Sequence, residues 1–144
     1  MKKGLIFVFI VILIGILIHL FVPIGKNPIS INIEYPVEYF TNKKPIVLSI
    51  RDKRAGIKDI EVKLIALDTP IELYKRHFED KDMKTVNLRL QVKKQLPQGE
   101  AHLLIQVRDH STKNLFKGNV LSVEKKIVID TISPRIVILS GANR

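Results

Sequence analysis

The sequence predicts an all-β fold, with one small β-sandwich behind a single apolar helix at the amino terminus. Four observations support this prediction. Residues 5–24 form an almost unbroken apolar run, and the residues that follow alternate apolar and polar side chains with the period of a β-strand. Turn-forming residues separate the alternating segments at intervals of roughly ten residues. No segment outside the apolar run has a convincing helical periodicity.

The apolar run predicts a transmembrane helix over residues 5–24, behind a cytoplasmic tail of residues 1–4. About 20 helical residues, at ~1.5 Å each, cross the ~30 Å hydrocarbon core of a bilayer. Bulky residues stand at the exit of the run, where signal peptidase needs small ones, so an uncleaved anchor is favoured over a cleaved signal peptide. Lys2 and Lys3 favour the cytoplasmic side, which predicts that the rest of the chain lies outside the membrane.

Seven segments have the alternation expected of strands. They are residues 29–33, 46–50, 60–64, 71–78, 86–92, 101–107 and 121–129. The fourth segment is the least regular and is predicted to be an edge strand. Lys125 falls on the apolar phase of the last segment, which predicts a bulge or a sheet edge there.

About seven strands at this spacing, each with one apolar face, are typical of an immunoglobulin-like β-sandwich. The sequence predicts such a sandwich over residues 25–131, and a small barrel is the alternative. Gly56, Gly99 and Gly118 are expected to shape turns. Asp109 and Asn114 are expected to fix the loop after a central strand through side-chain to backbone hydrogen bonds.

Residues 132–144 are predicted to be a linker and the first strand of a truncated second domain. Pro134 biases Ser133 toward an extended backbone and is expected to shape this turn. A new apolar segment, residues 135–139, follows it. The alternative is that this segment adds to the first sandwich as a late edge strand.

The chain is basic, with 24 Lys and Arg against 14 Asp and Glu. Without Lys2 and Lys3 the balance is 22 against 14, so the predicted external part carries about +8. Because the lysines are spread along the chain, an ordinary solvated surface is favoured over a polymer-binding one. The absence of cysteine excludes disulfides, thiol catalysis and thiolate metal sites.

The sequence indicates no catalytic, metal-binding or cofactor-binding residue. The histidines do not have the spacing of a known metal motif, and there is neither a glycine-rich phosphate loop nor a nucleophile elbow. The aromatic side chains are scattered and are not interleaved with Arg and Lys, which disfavours nucleic-acid binding.

Two stretches carry a family resemblance. Residues 107–119 read VRDHSTKNLFKGN, and residues 129–136 read IDTISPRI. The chain resembles the amino-terminal half of membrane-anchored, lysostaphin-like zinc metallopeptidases, the peptidoglycan endopeptidases of Gram-negative bacteria. The residues Arg51-Asp52 before Gly56-Ile57, and Gly99-Glu100-Ala101, are similar as well. The resemblance implies one helix in the bacterial inner membrane, with the amino terminus inside and the β domain in the periplasm.

The zinc motifs of that family, H-x-x-x-D and H-x-H, do not occur in this sequence. The residues found four positions after His77, His102 and His110 are Lys81, Gln106 and Asn114. No catalytic or metal residue is therefore carried over, and zinc is expected only if a catalytic domain follows downstream.

The expected function is that of a non-catalytic membrane anchor and periplasmic spacer or interaction module. Its expected partners are the lipid bilayer and either peptidoglycan or a periplasmic protein. One alternative is a self-standing single-pass membrane protein whose immunoglobulin-like domain binds a periplasmic protein or a glycan. A further alternative is an adhesin-like or assembly subunit that works through an exposed sheet edge.

Overall fold

The computed structural model describes residues 2–21 and 26–132. They form one long helix, eight strands and one short helical turn. In chain order these are α1 (Lys2–Phe21), β1 (Ile29–Tyr35), β2 (Tyr39–Phe40), β3 (Ile46–Asp52), β4 (Ile57–Ala66), β5 (Thr69–His77), β6 (Thr85–Leu90), β7 (Gly99–Asp109), α2 (Lys113–Phe116) and β8 (Val120–Ile129).

The strands form two sheets with a sandwich-like arrangement, so the all-β prediction is confirmed. The smaller sheet has the order β1-β3-β6, and the larger has the order β2-β8-β7-β4-β5. Neighbouring strands are antiparallel, except that β2 runs parallel to β8.

The alternation of side chains along each strand builds the core between the sheets. In β7, the odd-numbered residues from Ala101 to Val107 are buried, and Glu100 and Gln106 on the opposite face are exposed. The same rule applies to the neighbouring strands. The fully buried side chains of the core include Ile46, Leu48, Ile50, Ile60, Val62, Leu64, Leu103, Ile105, Ile127 and Ile129.

All seven predicted segments lie in or overlap strands, and the structure adds β2. This strand has only two residues, and Phe40 buries its ring in the core with 1% of its surface exposed. The prediction that residues 71–78 form an edge strand is correct, because β5 ends the larger sheet.

The structure does not place a bulge at Lys125, because β7 and β8 pair without a register shift. The alternative expectation, a sheet edge at Lys125, is correct. β2 pairs only with Val128 and Ile129 and leaves the rest of β8 as an edge. Register shifts lie elsewhere, for example between Val62 and Lys63 where β4 meets β5.

The helix α1 begins three residues before the predicted start of the apolar run. Its large apolar side chains are widely exposed, from 76% at Leu5 to 44% at Leu17. In the segments that the structure describes, we find no helix that combines the length and the hydropathy needed to cross a membrane.

The sandwich has two ends, and α1 adjoins one of them. At this near end, β1 begins at Ile29, which pairs with Asp52, and β7 ends at Asp109, which pairs with Ile57. At the opposite, far end, β7 begins and β8 ends, where Gly99 pairs with Ile129. The chain therefore enters the sandwich at one end and leaves its last described strand at the other. Pro134 and the predicted strand 135–139 lie outside the described residues.

Candidate functional surfaces

The loop between β7 and β8 is fixed at its base by the buried carboxylate of Asp109. One oxygen accepts hydrogen bonds from the backbone N–H of Ser111 at 3.0 Å and of Asn119 at 2.7 Å. The other accepts one from Nδ2 of Asn119 at 2.7 Å. The side chain is 0% exposed, and its hydrogen-bonding capacity is used within the protein. Asp109 therefore holds the loop and is not free to bind a ligand.

Asn119 was not identified from the sequence. It stands ten residues from its partner, beyond the short range in which a turn residue bonds its own backbone. The one feature that could have indicated the role of Asn119 is its position directly before the first residue of β8.

Asn114 fixes the other side of the same loop. Its Nδ2 donates a hydrogen bond to the carbonyl oxygen of Gly118 at 3.0 Å. Gly118 has φ +86°, and a Cβ there would lie 2.3 Å from the carbonyl oxygen of Asp109. Gly118 is therefore required by both backbone conformation and space.

A second buried carboxylate, Asp52, holds the neighbouring loop in the same way. It accepts hydrogen bonds from the backbone N–H groups of Arg54, Ala55 and Gly56, the first two at 3.0 and 2.9 Å. Gly56 has φ +87°, and a Cβ there would lie 2.0 Å from the carbonyl oxygen of Lys81. Gly99, by contrast, has φ +109° with open space around it.

His110 ties the loops of the near end together. Its Nε2 donates a hydrogen bond to the carbonyl oxygen of Phe78 at 2.9 Å, and its backbone N–H donates to Gly56 at 2.9 Å. The imidazole of His110 therefore has a structural role, because it connects two loops. The near end is a platform of three loops that are joined to one another by hydrogen bonds.

Two large apolar side chains project from this platform at α2. Leu115 is 49% exposed and Phe116 is 67% exposed. Asn114, Leu115 and Phe116 have φ values of +52°, +56° and +64°, a conformation that side-chain-bearing residues rarely adopt. Each such residue costs about 1–2 kcal/mol when it is not glycine. The backbone therefore accepts strain at the point where it presents these side chains to solvent.

The carboxyl end of α1 lies against α2. Nζ of Lys113 donates a hydrogen bond to the carbonyl oxygen of His19 at 3.1 Å and lies 3.5 Å from its Nδ1. A cation is favourable here, because the last carbonyls of a helix carry a partial negative charge. The contact places the exposed apolar pair of α2 beside the end of the apolar helix.

The outer face of the larger sheet is covered with ion pairs. They are Lys63–Glu61 at 3.0 Å, Lys75–Glu61 at 3.4 Å and Lys126–Glu100 at 2.7 Å. Two histidines on the same face contact carboxylates, His77 with Asp59 at 2.6 Å and His102 with Glu124 at 2.7 Å. The hydrogen bond from Lys63 lowers the pKa of Glu61, and that from Lys126 lowers the pKa of Glu100. Gln106 and Arg108 border a groove of about 380 Å³ beside these pairs. Cross-strand pairs of opposite charge stabilise such a face modestly.

The outer face of the smaller sheet is polar but mostly uncharged. Oγ of Ser49 donates a hydrogen bond to Oδ1 of Asn87 at 2.9 Å. A shallow depression of about 320 Å³ beside this pair is bordered by Glu34, Val47 and Arg89. Within the described residues, none of the ion pairs lies on this face.

The histidines do not come together. His77 and His102 each pair with a carboxylate on the larger sheet, and His110 bonds a backbone carbonyl at the near end. Among residues 2–21 and 26–132, no three His, Asp or Glu side chains are grouped so that they could hold a metal ion. Within the described residues, the candidate functional features are therefore surfaces, because the buried polar side chains stabilise the fold.

No protein-family model matches the sequence, and no curated protein matches it either.

Proposed function

We propose that this protein is a membrane anchor joined to a spacer, with α1 inserted in lipid and the sandwich held outside. The observation that carries the proposal is the exposed apolar surface of α1. Between Leu5 and Ile18 the large apolar side chains are 44–76% exposed, and the sandwich does not cover them. Contiguous apolar surface of this extent is costly in water, at about 25 cal/mol for each Å². Lipid removes that cost.

The path of the chain supports the role of a spacer. β1 begins at the near end, beside α1, and β8 ends at the far end. Any residue that follows β8 therefore starts a full strand length away from the helix. For the eleven residues of β7 this length is about 35 Å.

The strand order supports an immunoglobulin-like sandwich for the spacer. In such domains two antiparallel sheets pack face to face. In one of these sheets, the last two strands of the chain lie beside a strand from the first half of the chain. Here β8, β7 and β4 lie side by side in one sheet, and β3 lies between β1 and β6 in the other. The first part of the chain contributes to both sheets, through β1 and β2.

The compartment follows from the same proposal. Lys2 and Lys3 favour the cytoplasmic side of a bacterial inner membrane, which leaves the sandwich in the periplasm. The cell-wall polymer and other periplasmic proteins are then within reach of the far end.

Labelling of single cysteines tests both insertion and direction. The chain contains no cysteine, so Ser30→Cys in β1 and Lys2→Cys at the start of α1 each create one reactive site. In cells with a permeabilised outer membrane, a membrane-impermeant maleimide is expected to label Ser30→Cys and to spare Lys2→Cys until the inner membrane is opened. Equal labelling of both would mean that α1 does not cross. Recovery of the protein in the soluble fraction after lysis would refute the anchor.

A matched pair of helix variants isolates the contribution of α1. Ile12→Asp places a charge in the middle of the helix, which costs about 3 kcal/mol in a membrane, and is expected to release protein from membranes at alkaline pH. Ile12→Ala keeps the helix apolar and is expected to remain bound. The same behaviour in both variants would contradict insertion of α1.

A second candidate function is recognition of a periplasmic protein or a glycan by the sandwich. The observation that favours it is the smaller sheet, whose outer face presents hydroxyl and amide groups without ion pairs among the described residues. Such groups can donate and accept hydrogen bonds to sugar hydroxyls. Sedimentation of the full chain with purified peptidoglycan tests this. Loss of co-sedimentation in Asn87→Ala, but not in Glu124→Ala on the other sheet, would support it.

A further inference from the structure

We propose that α2 is a second membrane contact, in which Leu115 and Phe116 dip into the lipid interface and Lys113 and Lys117 meet anionic headgroups. This proposal rests on the proposed insertion of α1. It adds that the sandwich touches the bilayer with a defined surface and does not move freely on its tether.

The position of α2 beside the end of α1 places it at the proposed membrane surface. Lys113 contacts the carbonyl oxygen of His19 at 3.1 Å, close to the carboxyl end of α1. A helix that enters lipid from its amino end leaves it near this residue. The two elements are therefore at the same depth, and that depth is the headgroup layer.

The amino-acid composition of α2 suits the lipid interface. A short segment with exposed Leu and Phe between lysines has the composition of an interfacial anchor, whose apolar side chains insert while its cations remain at the headgroups. Lys117 is exposed and Lys113 is half-buried. Anionic lipids attract such cations within about a Debye length of the surface.

The backbone conformation of α2 also supports the proposal. Three successive residues, Asn114, Leu115 and Phe116, have positive φ, and the last two side chains are exposed. The base of the loop is held by Asp109, and a Cβ at Gly118 would collide with that base. The loop is therefore fixed in a conformation that exposes apolar surface, which is favourable only where that surface is covered.

The lysines at the near end add to the attraction. Lys26, Lys53 and Arg54 are exposed on the same end of the sandwich. The two carboxylates there, Asp52 and Asp109, are buried and bonded to backbone N–H groups. Among the described residues, exposed acidic groups at this end lie in the turn of residues 79–82, and Asp59 near the start of β4 contacts His77.

Single tryptophans provide the test, because the chain contains none. Phe116→Trp reports on α2, Ile12→Trp reports on α1, and Leu67→Trp is the control. Leu67 matches Phe116 in exposure, at 76% against 67%, and in its positive φ of +48°, but it lies at the far end. Each full-length variant is reconstituted in phosphatidylglycerol and phosphatidylcholine vesicles that carry bromine on the acyl chains near the headgroup.

Bromine is expected to reduce the emission of Trp at position 116 by about twofold or more and to leave position 67 unchanged. Position 12 is expected to be quenched most by bromine placed near the chain ends. Quenching at 116 is expected to weaken in vesicles without phosphatidylglycerol, since the lysines then lack anionic partners. Far-UV circular dichroism checks each fold, and Leu115→Trp replaces Phe116→Trp if the latter does not fold.

The outcomes separate the two proposals. Quenching at 12 but not at 115 or 116 would overturn the role of α2 and leave the anchor intact. Absence of quenching at 12 would overturn the anchor and α2 with it. Equal quenching at 67 and 116 would show general adsorption of the sandwich, and it would also overturn the role of α2.

Discussion

At the residue scale, the near end of the sandwich depends on carboxylates that water does not reach. Asp52 and Asp109 are 1% and 0% exposed, and each gathers backbone N–H groups that would otherwise be unpaired at the end of a strand. This use of a buried acid replaces several solvent hydrogen bonds with fixed ones. It also explains how loops without regular structure satisfy their backbone N–H groups at this end of the sandwich.

Replacing Asp109 by alanine is expected to destabilise the protein by about 3 kcal/mol, since the donors of Ser111 and Asn119 lose their acceptor inside the protein. Urea unfolding of the full chain measures the change. Glu34→Ala, an exposed position on β1, is the matched control and is expected to change stability by less than about 0.5 kcal/mol. Equal effects in the two variants would mean that the buried acid is not structural.

Two glycines with positive φ separate the cost of backbone conformation from the cost of collision. Gly118→Ala combines φ +86° with a Cβ only 2.3 Å from the carbonyl oxygen of Asp109. Gly99→Ala combines φ +109° with open space. We expect Gly99→Ala to cost about 1–2 kcal/mol and Gly118→Ala clearly more, measured as shifts in the midpoint of thermal unfolding. Equal shifts would contradict the close approach at Gly118.

The pair of lysines around Glu61 predicts a small pH dependence. Because Lys63 lowers the pKa of Glu61 in the folded protein, the carboxylate stabilises the fold above its ordinary pKa of 4.5. That contribution is lost as the pH falls through the lowered pKa of the folded state. Glu61→Gln is expected to cost less than about 1 kcal/mol at neutral pH and nothing in strong acid. Urea unfolding at several pH values, with Glu34→Gln as control, measures the difference.

The sequence could predict Asp109 and Asn114 as loop residues, because aspartate and asparagine bond nearby backbone groups wherever a strand ends. It could not predict Asn119 as the partner of Asp109. That pairing exists only when β7 and β8 lie side by side, so that residues ten positions apart meet.

At the element scale, β7 offers a test of how far alternation sets the core. Leu103 is 0% exposed between the sheets, and its neighbour Leu104 lies half-buried on the outer face. Leu103→Ala is expected to cost about 2–5 kcal/mol, and Leu104→Ala about 1 kcal/mol or less. Urea unfolding provides both values, and a larger effect at Leu104 would contradict the assignment of the two faces.

The long strands were predictable because alternation over five or more residues has a physical cause, which is that one face is buried. β2 was not predictable, since two residues cannot establish a period. α2 was not predictable either, because its residues Asn114 and Leu115 are not in helical conformation and have no helical pattern to follow.

At the scale of the whole molecule, the proposed role as a spacer predicts a height above the membrane that can be measured. Lys117→Cys places a label at the near end, and Leu67→Cys places one at the far end. If α1 is inserted as proposed, energy transfer to acceptor lipids is expected to be efficient from position 117 and weak from position 67, which lies about 30 Å farther along the strands. Similar transfer from both positions would mean that the sandwich lies flat on the bilayer.

The arrangement of the two sheets was predictable only as a class. Strand number and spacing indicate a sandwich, but they do not determine which strands are neighbours. The parallel pairing of β2 with β8 joins residues about ninety positions apart, and the contact of Lys113 with His19 joins residues 94 apart. Such pairings follow from packing of the complete chain.

The entry and exit of the chain at opposite ends have a mechanical consequence. A pull between α1 and whatever follows β8 would act along the strands, entering at Ile29 and leaving at Ile129. Backbone hydrogen bonds run across the strands, so those of β1 with β3, and those that join Val128 and Asp130 to the β2 segment, would be sheared together. Bonds that share a load in this way break collectively. The sandwich is therefore oriented to resist tension that is applied between α1 and the far end.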